Sequence, residues 1–277
     1  MPKLQLGFYG HFLPKGEDLS KILNAAGEEQ GLQGSNEQLY QRTNLGGPKV
    51  SRLKSWAIRS GLVHNHYLSS EGKIVMECDR YLESPITAWL MHFYLCFGGN
   101  GLQAPPQSAT EWGGWTYFIF EFLGDRTTFS LDDFFRGCEA NFELTNSKTV
   151  KTLLRTLMRT YTDPASILSR CQLFSLESNN RYKINRIPPP NIYLIGYFLA
   201  KLWERDFPET TSILTEKVLL QPYGLGPILN IEPDILQGCL TQLETKAIVE
   251  QRRTVPPAQI VCRWDDPLKL LKKAYQT

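Results

Sequence analysis

The chain has no Cys-x-x-Cys pair, only four histidines and four methionines, and no long hydrophobic run. Its six cysteines (Cys78, Cys96, Cys138, Cys171, Cys239 and Cys262) lie far apart, which speaks against structural zinc motifs and a disulfide framework. Reduced thiols, and hence a cytoplasmic location, are the expectation. No apolar run follows Met1, so a secretory signal is not expected. The longest apolar stretch, 86–97, is about twelve residues, whereas a bilayer needs about twenty, so it reads as a buried helix and no membrane partner is expected. Also missing are a Gly-x-x-x-x-Gly-Lys-Ser/Thr loop, a Gly-x-Ser-x-Gly elbow and a His-Glu-x-x-His helix, so the common phosphate-cradle, hydrolase and zinc-protease signatures are absent.

The chain is, by contrast, well supplied with ordinary globular material. With 277 residues, 42% hydrophobic and 21% charged, it has enough length for roughly two domains of ~150 residues each and a substantial core. Thirty basic residues against 28 acidic ones give a net charge of +2, a balance that hides a segregated distribution.

The first third reads as three helices and a hairpin. Leu19, Ile22, Leu23 and Ala26 recur at helical spacing within 17–30, Asn36 suits an N-cap, and Pro48 suits the first turn of a helix reaching Ser60. Residues 62–67 and 73–78 alternate like strands around Ser69-Ser70-Glu71-Gly72. A similar pass begins at Ser130, which with Asp133 forms a capping box, continues through a helix opened by Ser147, and ends in strands 173–177 and 182–185. A weaker third copy has a helix over 233–244 and strands over 247–253 and 259–264. Aromatic-rich helices at 85–97, 115–123 and 191–207 read as interior elements. The fold class expected is therefore mainly α (α+β), with two or three winged helix-turn-helix modules around a shared aromatic helical core. The expected segments are an N-terminal winged-helix module (1–82), an apolar helical core (83–125), a second winged-helix module (126–188) and a C-terminal helical region with a third such unit (189–277).

The chemistry-bearing pattern is electrostatic. Lys148, Lys151, Arg155 and Arg159 share one face of the Ser147 helix, opposite Val150, Leu153, Leu154, Leu157 and Met158. The Pro48 helix carries Lys49, Arg52, Lys54 and Arg59, again with no acid among them, and the second hairpin adds Arg181 and Lys183. One basic stripe is ordinarily a solvated face; two acid-free stripes in the same architectural slot point to duplex DNA, whose phosphates release counterions to such cations. Six acids between Glu121 and Glu143 offset them. His64-x-His66 reads as an ordinary strand pair rather than a metal half-site, and Asp133 and Asp266 read as helix caps rather than metal ligands. The residues themselves single out no catalytic group.

Several segments carry a family resemblance: Phe8-Tyr9-Gly10-His11-Phe12-Leu13-Pro14-Lys15-Gly16, Leu45-Gly46-Gly47-Pro48-Lys49-Val50, Ser84-Pro85-Ile86-Thr87-Ala88-Trp89 and Trp115-Thr116-Tyr117-Phe118-Ile119-Phe120. In that order they resemble a bacterial domain-of-unknown-function family found at DNA phosphorothioation loci, the SspB-like B components of single-strand phosphorothioation in phage defence. The resemblance implies a DNA-binding component acting with a cysteine desulfurase, an ATP-pyrophosphatase-like sulfur transferase and an ATPase. It also implies nicking of DNA, with Mg²⁺ or Mn²⁺ as the cofactor of that step, an activity for which the residues supply no signature of their own. A winged-helix transcriptional regulator without enzymatic activity is the alternative.

Overall fold

The computed structural model describes residues 1–277, which divide into two units: 1–101 with 106–185, and 102–105 with 186–277. Unit 1 begins with α1 (Gly16–Gly27), which buries Leu19, Ile22, Leu23 and Ala26 as their spacing predicts. Helix α2 (Asn36–Thr43) is capped by Ser35 and not by Asn36, because Ser35 completes a reciprocal box with Gln38. Helix α3 (Gly47–Arg59) has Pro48 in its first turn and buries Val50, Leu53, Trp56 and Ala57. It stops at Gly61, where φ is +74° and a Cβ would lie 2.6 Å from the Tyr94 ring.

The first hairpin departs from expectation. Strands β1 (Val63–His64) and β2 (Tyr67–Leu68) are two residues each and turn through Asn65 and His66, both at positive φ. Residues 73–78, read as the return strand, belong instead to helix α4 (Ser70–Cys78). The Ser-Ser-Glu-Gly sequence that looked like a turn is a helix start: Ser69 Oγ accepts from Gly72 N at 2.8 Å. Gly72 is there for close approach, since a Cβ would meet the Leu62 carbonyl at 2.0 Å. His66 lies in the turn, so His64 and His66 share no strand face.

Helix α5 (Pro85–Leu95) is buried from Thr87 to Leu95, and α6 (Gly114–Tyr117) runs on into a π-helical turn over Phe118–Phe122. Strand β3 (Thr128–Ser130), α7 (Leu131–Asn141), α8 (Ser147–Thr162), β4 (Phe174–Leu176) and β5 (Arg181–Ile184) follow. The antiparallel sheet has the order β3-β5-β4. The Ser130–Asp133 capping box is present, whereas α8 is capped by Asn146, one residue before Ser147. Phe118, Phe122, Phe129, Phe134 and Phe174 cluster beneath this sheet, Phe118 lying 4.7 Å from Phe134 between ring centroids.

Unit 2 contains α9 (Ile192–Asp206), β6 (Ser212–Leu214), α10 (Thr215–Leu219), α11 (Leu225–Leu229), α12 (Pro233–Thr245), β7 (Val249–Arg252), β8 (Gln259–Cys262) and α13 (Pro267–Ala274). Its sheet order, β6-β8-β7, repeats that of unit 1. Helix α9 is buried on most sides, and Asp266 caps α13 as expected, its Oδ1 accepting from Leu268 N at 2.9 Å.

The opening segment, residues 2–14, has almost no regular structure, yet its backbone is bound at widely separated places in unit 1. Glu143 N donates to Pro2 O, Gly114 N to Leu4 O and Ile167 N to Pro14 O. Trp56 Nε1 donates to Phe12 O at 3.0 Å, and the Tyr9 hydroxyl donates to Leu153 O of α8 at 3.0 Å. Tyr9 stacks on Trp56 and meets Trp115 edge-on, all three rings being buried. A strand cannot leave its ladder groups unpaired inside a fold, and neither can a strap, so these bonds and rings fix its path. Tyr9→Phe, which removes only the hydroxyl, is expected to lower unfolding free energy by about 1 kcal/mol in urea titration, with the denaturant slope unchanged.

Candidate nucleic-acid interface

The two basic stripes predicted from sequence meet different fates. On α3 all four cations are engaged within unit 1. Lys49 pairs with Asp18 at 2.7 Å. Arg52 donates to Gly7 O at 2.6 Å and Phe8 O at 3.4 Å, holding the opening strap. Lys54 donates to Leu32 O at 2.8 Å. Arg59 donates to Gly98 O and lies over the Phe8 ring, 4.4 Å from its centroid. Burial draws the Lys54 and Arg59 pKa values down, the direction expected for cations taken partly out of water. Three of these cations therefore donate to backbone carbonyls and the fourth to a carboxylate.

On α8 the stripe faces outward, while Val150, Leu154, Leu157 and Met158 are buried. Neighbouring acids occupy half of it. Lys151 pairs with Asp132 at 2.8 Å and lies 4.8 Å from the centroid of Phe135. Arg159 pairs with Asp163 at 2.8 Å. The hydrogen bond from Lys151 holds the Asp132 carboxyl below its usual range, and that from Arg159 does the same for Asp163, so both acids are charged at neutral pH. Lys148 and Arg155 are exposed and carry no ion pair. They are two turns apart and share one side of the helix. Arg155 also stands near Tyr182 of β5: burial raises that phenol's pKa, and the guanidinium opposes the shift.

On β5, Tyr182 and Ile184 are buried, so Arg181 and Lys183 project from the other face of the sheet. Arg181 donates to Thr128 Oγ1 at 3.2 Å and approaches Asp133 at 3.6 Å, whereas Lys183 is exposed and unpaired. The ten sequence-selected cations thus do not form one surface. Lys148 and Arg155 come together on α8, Lys183 stands on the sheet's outer face, and the α3 set is spent internally. The residues that sequence reasoning missed are the counterions. Asp163 was legible, four residues after Arg159 and just outside the acid-free window; Asp132 acts on Lys151 only through the packing of α7 against α8.

The carboxylates do not assemble a cation site. Asp132 is held by Lys151, Asp133 caps α7 and pairs with Arg136, Asp265 binds Lys269 and Asp266 caps α13. Nowhere do three His, Cys, Asp or Glu side chains gather into a ready-made metal cage.

The fold and its exposed cations define an α+β protein with two small antiparallel sheets of like order, each flanked by helices. The chain belongs to the family described as "Protein of unknown function (DUF4007)", which matches residues 10–275. Its fold is similar to that of a protein described as "Magnesium ion-bound SspB crystal structure", with 15% identity, a TM-score of 0.73, and coverage of 97% of this chain and 86% of that one. A second solved structure, "SspB crystal structure", matches with a TM-score of 0.73, 14% identity and the same coverage. No curated protein matches this chain. No helix is long and apolar enough to cross a membrane.

The two stripes make opposite predictions for stability. Arg59→Ala, which deletes a carbonyl bond and a ring contact, is expected to cost about 1.5–3 kcal/mol in urea unfolding. Arg155→Ala is expected to fall within about 0.5 kcal/mol of the unaltered protein.

Proposed function

We propose that this protein is a DNA-contacting component of a bacterial phosphorothioate-modification system, engaging duplex phosphates through α8. The observation that carries the reading is the unpaired Lys148 and Arg155 on the exposed side of α8. This helix is the second of two between the strands of a β3-α7-α8-β4-β5 unit. That order, with the sheet arranged β3-β5-β4, supports reading the unit as a winged helix-turn-helix, in which the second helix addresses the major groove. Unit 2 repeats the layout with β6, α10 to α12, β7 and β8.

Membership of the family and likeness to the SspB fold support placing the protein in phosphorothioation, beside a cysteine desulfurase, a sulfur transferase and an ATPase. Within this reading Lys148 and Arg155 supply the first phosphate contacts. Lys151 and Arg159 become available when phosphate outcompetes Asp132 and Asp163. Lys49, Arg52, Lys54 and Arg59 act by fixing the fold. Lys183 and Arg181 approach phosphate from the sheet's outer face. No feature of the chain favours the regulator reading over this one.

Each phosphate neutralised on B-DNA contributes about 0.9 to the slope of log K against log salt. Replacing Lys148 and Arg155 together by alanine is expected to reduce that slope by about two in anisotropy titrations with a labelled duplex. An unchanged slope would remove α8 from the interface. Asp163→Asn, which frees Arg159 from its competing carboxylate, is expected to raise affinity without adding a phosphate contact.

A further inference from the structure

Unit 2 repeats the strand order of the β3-β5-β4 module, with one helix more between its first two strands, and the helix before its strand pair differs in charge. Helix α12 contains no lysine or arginine. Its start carries Glu232 and Asp234 on either side of Pro233, both exposed and without an ion pair. That end of α12 is unfavourable to phosphate and suits a cationic partner.

Beside the start of α12 lies a cavity of about 410 Å³, a size suited to holding a bound side chain or short segment. Leu219, Leu220, Pro233 and Pro257 supply apolar walls. Leu220, on its lining, is 60% exposed. Thr215 also lines it, and although only 7% exposed its Oγ1 has no hydrogen-bond partner. A buried unpartnered hydroxyl is costly unless a bound group completes it. Exposed Glu216 adds an unpaired negative charge to the lining; the adjacent Lys217 is not part of it. Arg252 on the neighbouring strand is bound to Glu250, and Arg253 is held by the Thr241 hydroxyl. Gln237, the other polar lining residue, is bonded to Gln251.

The geometry points to a docking site for a partner protein: a segment that inserts an apolar side chain between Leu220 and Pro233, flanks it with lysine or arginine opposite Glu216, Glu232 and Asp234, and offers a polar backbone group to Thr215 Oγ1. The acids set the sign of the partner, the leucine and prolines set its apolar anchor, and the hydroxyl requires a hydrogen bond at the floor. The site is independent of the DNA reading, because none of its residues belongs to unit 1.

The test uses the full chain and a fluorescein-labelled amphipathic peptide of leucine and lysine, with a leucine–glutamate peptide as its counterpart. Saturable binding of the lysine peptide is expected, at least about tenfold tighter than that of the glutamate peptide, a difference of about 1.4 kcal/mol. Glu216→Lys and Leu220→Asp, both at exposed positions, are each expected to weaken it about tenfold, a further 1.4 kcal/mol apiece. Neither should change duplex affinity, which separates this site from the α8 interface. Thr215→Val is expected to leave the free protein at least as stable while weakening the peptide. Equal binding of the two peptides, or lysine-peptide affinity unmoved by both Glu216→Lys and Thr215→Val, overturns the proposal.

Discussion

Unit 1 depends on satisfying the backbone of a strap that only partly satisfies itself. Residues 2–14 make almost no regular structure beyond turns such as Phe12 N to Tyr9 O, so many of their carbonyls and amides take partners from other elements. Trp56 gives its indole N–H to Phe12, Arg52 its guanidinium to Gly7 and Phe8, and Gly114 and Ile167 their amides to Leu4 and Pro14. In return Phe8 and Tyr9 insert rings among Trp56, Trp115 and Arg59, and Tyr9 reaches α8 through its hydroxyl. One irregular segment thereby ties α3, α6 and α8 together. Two of the α3 cations serve this strap, Arg52 through its bonds to Gly7 O and Phe8 O and Arg59 through the Phe8 ring, while Lys49 and Lys54 hold Asp18 and Leu32 O elsewhere in the unit.

The same residue types do other work on α8. There the cations lie on a solvent-facing stripe, with Asp132 and Asp163 as local counterions. Exposed pairs of this kind are worth little to stability, so they yield readily to a competing phosphate. The near-balance of 30 basic and 28 acidic residues thus hides three arrangements: cations bound to carbonyls, cations paired at the surface, and a few left open. In unit 2, α12 is devoid of basic residues and has an apolar cavity beside it. The strand order recurs while the helix faces differ in charge.

Much of the fold was legible because the signals were local. The apolar spacing of Leu19, Ile22, Leu23 and Ala26, the Ser130–Asp133 box, the Asp266 cap and the strands near 174 and 182 all express short-range rules. The failure at 73–78 was also local in origin. Ser69 followed by Glu71 and Gly72 serves a turn or a helix start equally well, and the choice was made by Leu62, whose carbonyl approaches Gly72 too closely for any side chain. The candidate site was half legible. Sequence gives the face on which a cation stands, and it did so for Lys148 and Arg155. It does not give the partner waiting across space, which is why Arg52 and Arg59 looked identical to Arg155 although their donors end on Gly7, Phe8 and Gly98.

The division between fold-holding and DNA-facing cations is the central claim, and arginine side-chain N–H resonances report it directly. In a ¹⁵N-labelled sample titrated with a duplex, Arg52 and Arg59 signals should exchange slowly with water before addition and stay in place throughout. Arg155 should exchange rapidly at first and then shift and broaden as duplex is added. Movement of Arg52 and Arg59 with Arg155 unaffected would contradict the account.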